Sequence, residues 1–411
     1  MSLEYETVSL GEHLYIKGRI GWKGLKKDEY LDNGNYRIIN ATALEEDGIN
    51  WDDCGYITKE RFDESPEIIL KEKDILISKD GTIGKLGYVK ELYMPSTVAS
   101  GVFVVRNLNN EYIDTDFLYY YFKSPFFKWF IKSVTEGSVI PHLYQRDFTD
   151  MEFNLFDLDV QKKCSTILNA IEEKININKR INKNLFSIGR LIFKELILNE
   201  YSNNSHSNWV LVPFNEISTV QNGFAFKSND YCDVGCNMIR TRDITSEGFV
   251  SNEDLINLPQ SFYESKKYKN YKFERLDTIT VMVGASIGKM GLITDINIPS
   301  LQNQNMWRFR SKLKNISPAF VYYYVEKINK EIINMATGSA RSFYRKNLFL
   351  DYECIMPSND YLNGINPLFN SLFDKISENV AEIDKLTKLR DTLLPKLMSG
   401  EIDVSEINCD I

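Results

Sequence analysis

The chain has 411 residues, 43% of them hydrophobic and 26% charged, with a net charge of −8. That length allows two or three domains, each able to bury its own core, and that composition excludes disordered and collagen-like classes. No apolar run approaches the roughly 18 residues of a membrane helix, and Met1-Ser2-Leu3-Glu4-Tyr5-Glu6 lacks the basic-then-apolar pattern of a secretory leader, so no membrane partner and a cytoplasmic location are expected.

Residues 1–157 read as a first globular domain. Asp74-Ile75-Leu76-Ile77-Ser78 is a buried strand rich in β-branched residues, Gly81 to Gly87 is the turn after it, and Leu86–Val89 and Val98–Val105 continue the sheet. The segment from Phe117 to Ile131 has helical spacing but is interrupted by Lys123, Ser124, Pro125 and Lys128, so it is a core helix packed on that sheet. After it comes a polar stretch, Gly137-Ser138-Val139-Ile140-Pro141-His142-Leu143-Tyr144-Gln145-Arg146.

Residues 158–200 carry a different signal. Val160, Cys164, Ile167, Ile171, Lys174, Asn178, Ile181, Leu185, Ile188, Ile192 and Glu195 alternate in steps of four and three, a heptad seam with two polar interruptions near its middle. Ser202 to Asn208 is a Ser/Asn-rich linker, placing a boundary at 201–208. A second globular domain at 209–362 and a second long helix at 363–402 follow, with a tail at 403–411. The second seam runs through Phe369, Phe373, Ile376, Val380, Ile383 and Leu386 to Leu393 and Leu397, with Asn366 as N-cap and Pro367 in the first helical position.

The second half restates the first. Gly81-Thr82-Ile83-Gly84-Lys85-Leu86-Gly87 returns 204 positions later as Ala285-Ser286-Ile287-Gly288-Lys289-Met290-Gly291, Phe117 to Phe122 returns 203 later as Phe320 to Val325, and Gly137-Ser138 returns 201 later as Gly338-Ser339. Ile188, Ile192 and Leu196 align with Leu389, Leu393 and Leu397 at 201, so each long helix belongs to its repeat. This is tandem duplication of a whole domain. The expected fold is α+β: two repeated globular domains of short-stranded sheets and packed helices, with two long helices pairing as an antiparallel coiled coil under a pseudo-two-fold axis. About 37 helical residues would make a rod of roughly 55 Å. Two similar surfaces in one chain suit a bipartite target.

The acidic balance argues against nucleic acid at first sight. Charge acts locally, however, and residues 162–194 hold eight basic side chains against two acidic ones, while Arg341, Arg345 and Lys346 form a smaller patch. Six scattered cysteines fit a reducing compartment; Cys232 and Cys236, the closest pair, lack further ligands at metal spacing, so they read as free thiols in a loop and no metal is expected.

Catalytic phrases are missing. There is no P-loop, and the Gly81/Gly84/Gly87 spacing precedes a hairpin where a dinucleotide loop would precede a helix. Asn366-Pro367-Leu368-Phe369 resembles the base-gripping tetrapeptide of adenine-amino methyltransferases but leads into a heptad helix, and Glu172-x-Lys174 lies in mid-helix, where a nuclease motif would lie on a strand. Polar and basic loop residues are more telling, because Arg, Lys, Gln, Asn and Ser/Thr hold phosphates and read base edges. The candidate DNA contacts are Lys79, Thr82, Lys85, Ser138, His142, Tyr144, Gln145 and Arg146 in the first half. In the second they are Ser286, Lys289, Gln302, Asn303, Gln304, Ser339, Arg341, Ser342, Tyr344, Arg345 and Lys346.

The Gly-Thr-Ile-Gly-Lys-Leu-Gly turn, the Gly-Ser loops and above all Thr387-Lys388-Leu389-Arg390-Asp391-Thr392-Leu393-Leu394-Pro395-Lys396-Leu397-Met398-Ser399-Gly400-Glu401-Ile402 resemble the specificity subunit of type I restriction-modification systems over almost the whole chain. The first helix departs from that ending, with Phe193-Lys194-Glu195-Leu196-Ile197 in its place. The resemblance implies a non-catalytic protein whose two target-recognition domains each read half of a split, asymmetric DNA site, with helices setting the spacer. It further implies docking of two methyltransferase subunits, which would bind S-adenosylmethionine, and of two translocase-nuclease subunits. A coiled-coil scaffold for protein partners and a self-contained adenine methyltransferase are the alternatives.

Overall fold

The computed structural model describes residues 4–21, 24–45, 48–136, 142–149, 151–203, 208–335 and 344–407. The chain divides into two compact units, one formed by 1–172 with 388–411 and the other by 173–387.

In the first unit an antiparallel four-stranded sheet has the order Leu14–Gly18, Val102–Asn107, Ile75–Ser78, Leu86–Tyr88. A three-stranded sheet, Gly55–Ile57, Tyr36–Ile39, Ser96–Val98, contains one parallel pairing, Ile38 opposite Thr97. Glu6–Ser9 pairs with Glu152–Leu155. The second unit repeats this strand for strand: Ser218–Asn222, Met306–Ser311, Thr278–Val281, Met290–Leu292 form the four-stranded sheet, and Ile256–Leu258, Cys236–Ile239, Ser300–Gln302 the three-stranded one. The same parallel pairing recurs with Met238 opposite Leu301, and Val210–Pro213 pairs with Glu353–Met356. The expected single strand through Val98 to Val105 is therefore two: a turn at 99–101 sends Ser96–Val98 into one sheet and Val102–Asn107 into another. Cys236 lies buried in a strand, so only Cys232 fits the expected loop.

Both cores are aromatic. In the first, Thr115–Lys123 and Pro125–Thr135 lay Phe117, Tyr120, Phe122 and Phe127 against Ile75, Ile77, Phe103 and Val105, and the helix breaks at Ser124 because Pro125 starts a new one. In the second, an unbroken helix, Pro318–Met335, buries Phe320, Tyr323 and Tyr324 against Trp307 and Phe309.

The long helices are Leu158–Phe193 and Asn359–Met398. Within the first unit Val160, Cys164 and Leu168 share a core with Leu394, Leu397 and Met398. Within the second the helices run antiparallel: Asn178 donates to Glu382 at 2.9 Å, Asn182 accepts from Asn379 at 2.8 Å, and Phe186 meets Phe373. The seam differs from the heptad expectation at Ile167, where Leu168 is the buried residue, and after Ile171 at every position but Asn178. The buried positions are Ile175, Asn178, Asn182, Phe186, Gly189, Phe193 and Ile197, while Lys174, Ile181 and Ile188 face outward. From Cys164 through Leu168 and Ile171 to Phe193, eight steps cover 29 residues, close to the 3.6 repeat of a straight helix, so a strict 3.5 stripe drifts off the buried face.

Asn366 is not an N-cap. The helix begins at Asn359, with Leu362 N–H donating to Ser358 O at 3.0 Å, so Asn366-Pro367 sits about two turns inside it. The Asn366 amide accepts from Ser317 N–H (3.2 Å) and donates to Asn315 O (2.8 Å), tying the long helix to the start of the aromatic helix. Gln161 does the same in the first unit, accepting from Asp114 N–H (2.9 Å) and donating to Tyr112 O (3.0 Å). Asn366 is thus a structural amide with its partners in place, and the methyltransferase-like tetrapeptide has a packing role.

Candidate nucleic-acid interface

The turn after Ile75–Ser78 is built by Ser78, whose hydroxyl donates to Thr82 O (2.6 Å) and accepts from Lys85 N–H (2.8 Å). Gly84 has φ +84° and faces the tip of Ile131, and Gly288 has φ +82° and faces the tip of Ile333. Both positions suit only glycine, which explains why the motif recurs.

In the first unit Leu143 N–H donates to Lys79 O at 3.1 Å and the His142 imidazole meets the Asp80 carboxylate, so the turn and the 142–146 loop close on each other. The His142 ring lies 4.5 Å from that of Tyr144, which in turn carries the Arg146 guanidinium at 4.9 Å. Tyr144, Gln145, Arg146 and Thr82 are exposed and Lys85 half-buried; Lys79 is half-buried with its ammonium 4.9 Å from the Phe103 ring. The structure therefore gathers Lys79, Thr82, Lys85, His142, Tyr144, Gln145 and Arg146 on two adjoining loops. Ser138 lies outside the described residues.

In the second unit several expectations are corrected. Gln302 is fully buried, its amide donating to Gln221 O and Met306 O at 3.0 Å each; it stitches a strand end to the neighbouring loop. Tyr344 is buried on Trp307 with ring centroids 5.2 Å apart, and its hydroxyl donates to Asn329 Oδ1 at 2.7 Å, while Asn329 donates to Gly288 O. Burial pushes its phenol well above the ordinary range. Lys289 donates to Ile244 O at 2.6 Å. These three side chains are engaged in bonds that hold neighbouring loops together. Ser286, Gln304 and Arg345 are exposed, and Asn303 and Lys346 half-buried. Met282 N–H donates to Asn305 O at 2.9 Å, bringing the 303–305 loop beside the turn. Ser339, Arg341 and Ser342 lie outside the described residues.

Two features escaped the reading by repeats. Gly223 lies flat against the Asn303 carbonyl, leaving no room for a Cβ, and so closes the Phe224 loop onto 303–305. The exposed lysines of Lys266-Lys267-Tyr268-Lys269 have no basic counterpart in the first half, so a search for duplicated signals passes over them; basic residues interleaved with aromatics were the available cue. Among the described residues no group of His, Cys, Asp and Glu is arranged to hold a metal ion, and no helix is long and apolar enough to cross a membrane.

Two copies of one fold presenting loops of different chemistry define a recognition protein with two reading surfaces. The family model for the type I restriction modification DNA specificity domain matches twice, over residues 3–186 and 206–359. The specificity subunit of the type I restriction enzyme MjaVIII of Methanocaldococcus jannaschii is 25% identical over 98% of this chain and 94% of its own length. That of MjaIX from the same organism is 24% identical over 83% and 82%. A solved S subunit of a type I restriction-modification system from M. genitalium shares the fold, with a TM-score of 0.58 at 16% identity over 96% of each chain. The chain belongs to the type I restriction-modification DNA specificity family. Its role is that of the specificity subunit, which recognises DNA and leaves catalysis to others.

Proposed function

We propose that each unit reads one half of a bipartite, asymmetric DNA sequence, with the paired long helices setting the spacer between halves. The observation that carries this is the repetition of the four-, three- and two-stranded sheets in the same strand order with different side chains on the loops: His142, Tyr144, Gln145 and Arg146 in one unit, Ser286, Gln304 and Arg345 in the other. Direct readout needs exposed donors and acceptors on a rigid frame, and two unlike sets read two unlike half-sites. The partners are double-stranded DNA, two methyltransferase subunits that carry S-adenosylmethionine, and two translocase-nuclease subunits. Recognition by this chain would position an adenine for extrusion into the partner's active site. Methylome sequencing of a host expressing the chain with its methyltransferase is expected to show one split, adenine-methylated motif with unlike halves that vanishes on deletion of this gene. A continuous motif, or no dependence on the gene, would overturn the proposal.

A further inference from the structure

We infer that Lys266, Lys267 and Lys269 form a phosphate clamp for duplex DNA that only the second unit possesses, so that the two half-sites are gripped with unequal electrostatic strength. This rests on the DNA-reading function proposed above and adds to it a surface, a ligand chemistry and an asymmetry.

The two segments concerned are structurally equivalent. Each follows a one-turn helix, Lys59–Asp63 or Gln260–Glu264, and each contains a 3-10 helix, Pro66–Ile68 or Lys266–Tyr271. Each bridges to a strand of the three-stranded sheet, Ile69 to Thr97 or Lys272 to Leu301. Each then passes a residue of positive φ, Lys73 at 67° or Leu276 at 63°, and reaches a buried aspartate paired with an arginine, Asp74 with Arg106 or Asp277 with Arg310. Their chemistry is opposite. The first reads Ser65-Pro66-Glu67-Ile68-Ile69-Leu70-Lys71, the second Ser265-Lys266-Lys267-Tyr268-Lys269-Asn270-Tyr271-Lys272.

The basic segment is rigidly mounted. Tyr268 is buried and packs with Phe224, Phe226 and Phe262, and the Arg308 guanidinium, itself buried, donates to the carbonyls of Asn270 (3.0 Å) and Lys272 (2.7 Å). Lys266, Lys267 and Lys269 stay exposed, and among the described residues no carboxylate lies within 4 Å of their ammonium groups. Residues three apart eclipse in a 3-10 helix, so Lys266 and Lys269 share one edge. That edge lines a cavity of about 360 Å³ together with Ser265, Lys272, Arg308 and Arg310 and the carboxylates Glu264 and Glu274. Lys267 lies over the rings of Tyr268 (4.8 Å) and Phe224 (5.6 Å).

Continuity with the reading loops selects DNA as the occupant. Phe224, beneath Lys267, bridges to Asn303, and the 303–305 loop bonds to the turn at Met282. Lys267 therefore lies over the segment bonded to the loop that presents Gln304, Lys266 and Lys269 flank it on the same short helix, and exposed ammonium groups without a carboxylate partner beside base-reading loops match the phosphates that flank a read base.

The test compares the full-length chain, with whatever subunits co-purify with it, and its K266Q/K267Q/K269Q variant. Binding to a random-sequence 40-base-pair duplex is followed by fluorescence anisotropy across a salt series. The expected result is a loss of at least about tenfold in affinity near 0.1 M salt and a salt slope shallower by about two to three units, with the methylated motif unchanged. A control removing equal charge from the first unit, K71Q/K73Q/K90Q, is expected to shift affinity less than about twofold. Equal affinity and slope for wild type and the triple variant would overturn the clamp while leaving DNA recognition standing; absence of duplex binding by wild type would sink both. Intact DNA binding with loss of co-purifying subunits would assign the lysines to an acidic protein surface and likewise overturn it. Circular dichroism of the variants separates these outcomes from misfolding.

Discussion

Glu172 sits between two cations of its own unit, 2.6 Å from Lys123 and 3.2 Å from Arg390, with 13% of its side chain exposed. Burial alone would raise its carboxyl; the two cations outweigh that and hold it below the ordinary carboxylate range. A carboxyl whose pKa falls on folding stabilises the fold fully at neutral pH and loses that contribution as pH drops through the folded value. Glu172→Gln is expected to cost about 2 kcal/mol in urea denaturation at pH 7, with the gap to wild type narrowing from about pH 5 downward as the wild-type carboxyl takes up its proton; a pH-independent gap would refute the ion-pair account. Glu172 was visible in the sequence only as half of a nuclease-like Glu-x-Lys, because Lys123 and Arg390 are remote in the chain. Lys174, the other half, pairs with Glu382.

At the scale of elements, Gly189 shows how packing overrides local preference. It is buried about one turn before the end of the first long helix, and a Cβ there would run into the ring and hydroxyl of Tyr323, whose O–H donates to Phe186 O at 3.2 Å. Helix propensity favours alanine by about 1 kcal/mol, while overpacking costs about 1–3 kcal/mol. Gly189→Ala is therefore expected to lower the melting temperature; a rise would mean the tyrosine yields without loss. The helices themselves were legible from apolar periodicity, and so were the aromatic helices. Their register was not. Steps of three and four fit two neighbouring stripes nearly equally well, and the choice of Ile175 and Asn182 over Lys174 and Ile181 is made by the amides Asn379 and Asn182 pairing across the seam. A buried amide finds its partner across the seam in only one register.

For the molecule as a whole, duplication makes recognition modular. Arg146→Ala is expected to relax one half of the methylated motif and Gln304→Ala the other, each by about 1–3 kcal/mol of base discrimination, as read by methylome sequencing. A change in both halves from either single substitution would contradict independent reading. By itself the sequence determined the duplication, the order of sheet, aromatic helix and long helix, and membership of the family, because spacing and motifs are written along the chain. Only the tertiary structure decided which polar side chains are left exposed and which are tied down as struts. Gln302, Tyr344 and Lys289 look as suited to DNA as Gln304 or Arg345 until Gln221, Trp307 and Ile244 are folded against them. A donor's fate rests on the partners that the fold brings to it, and those are distant in sequence.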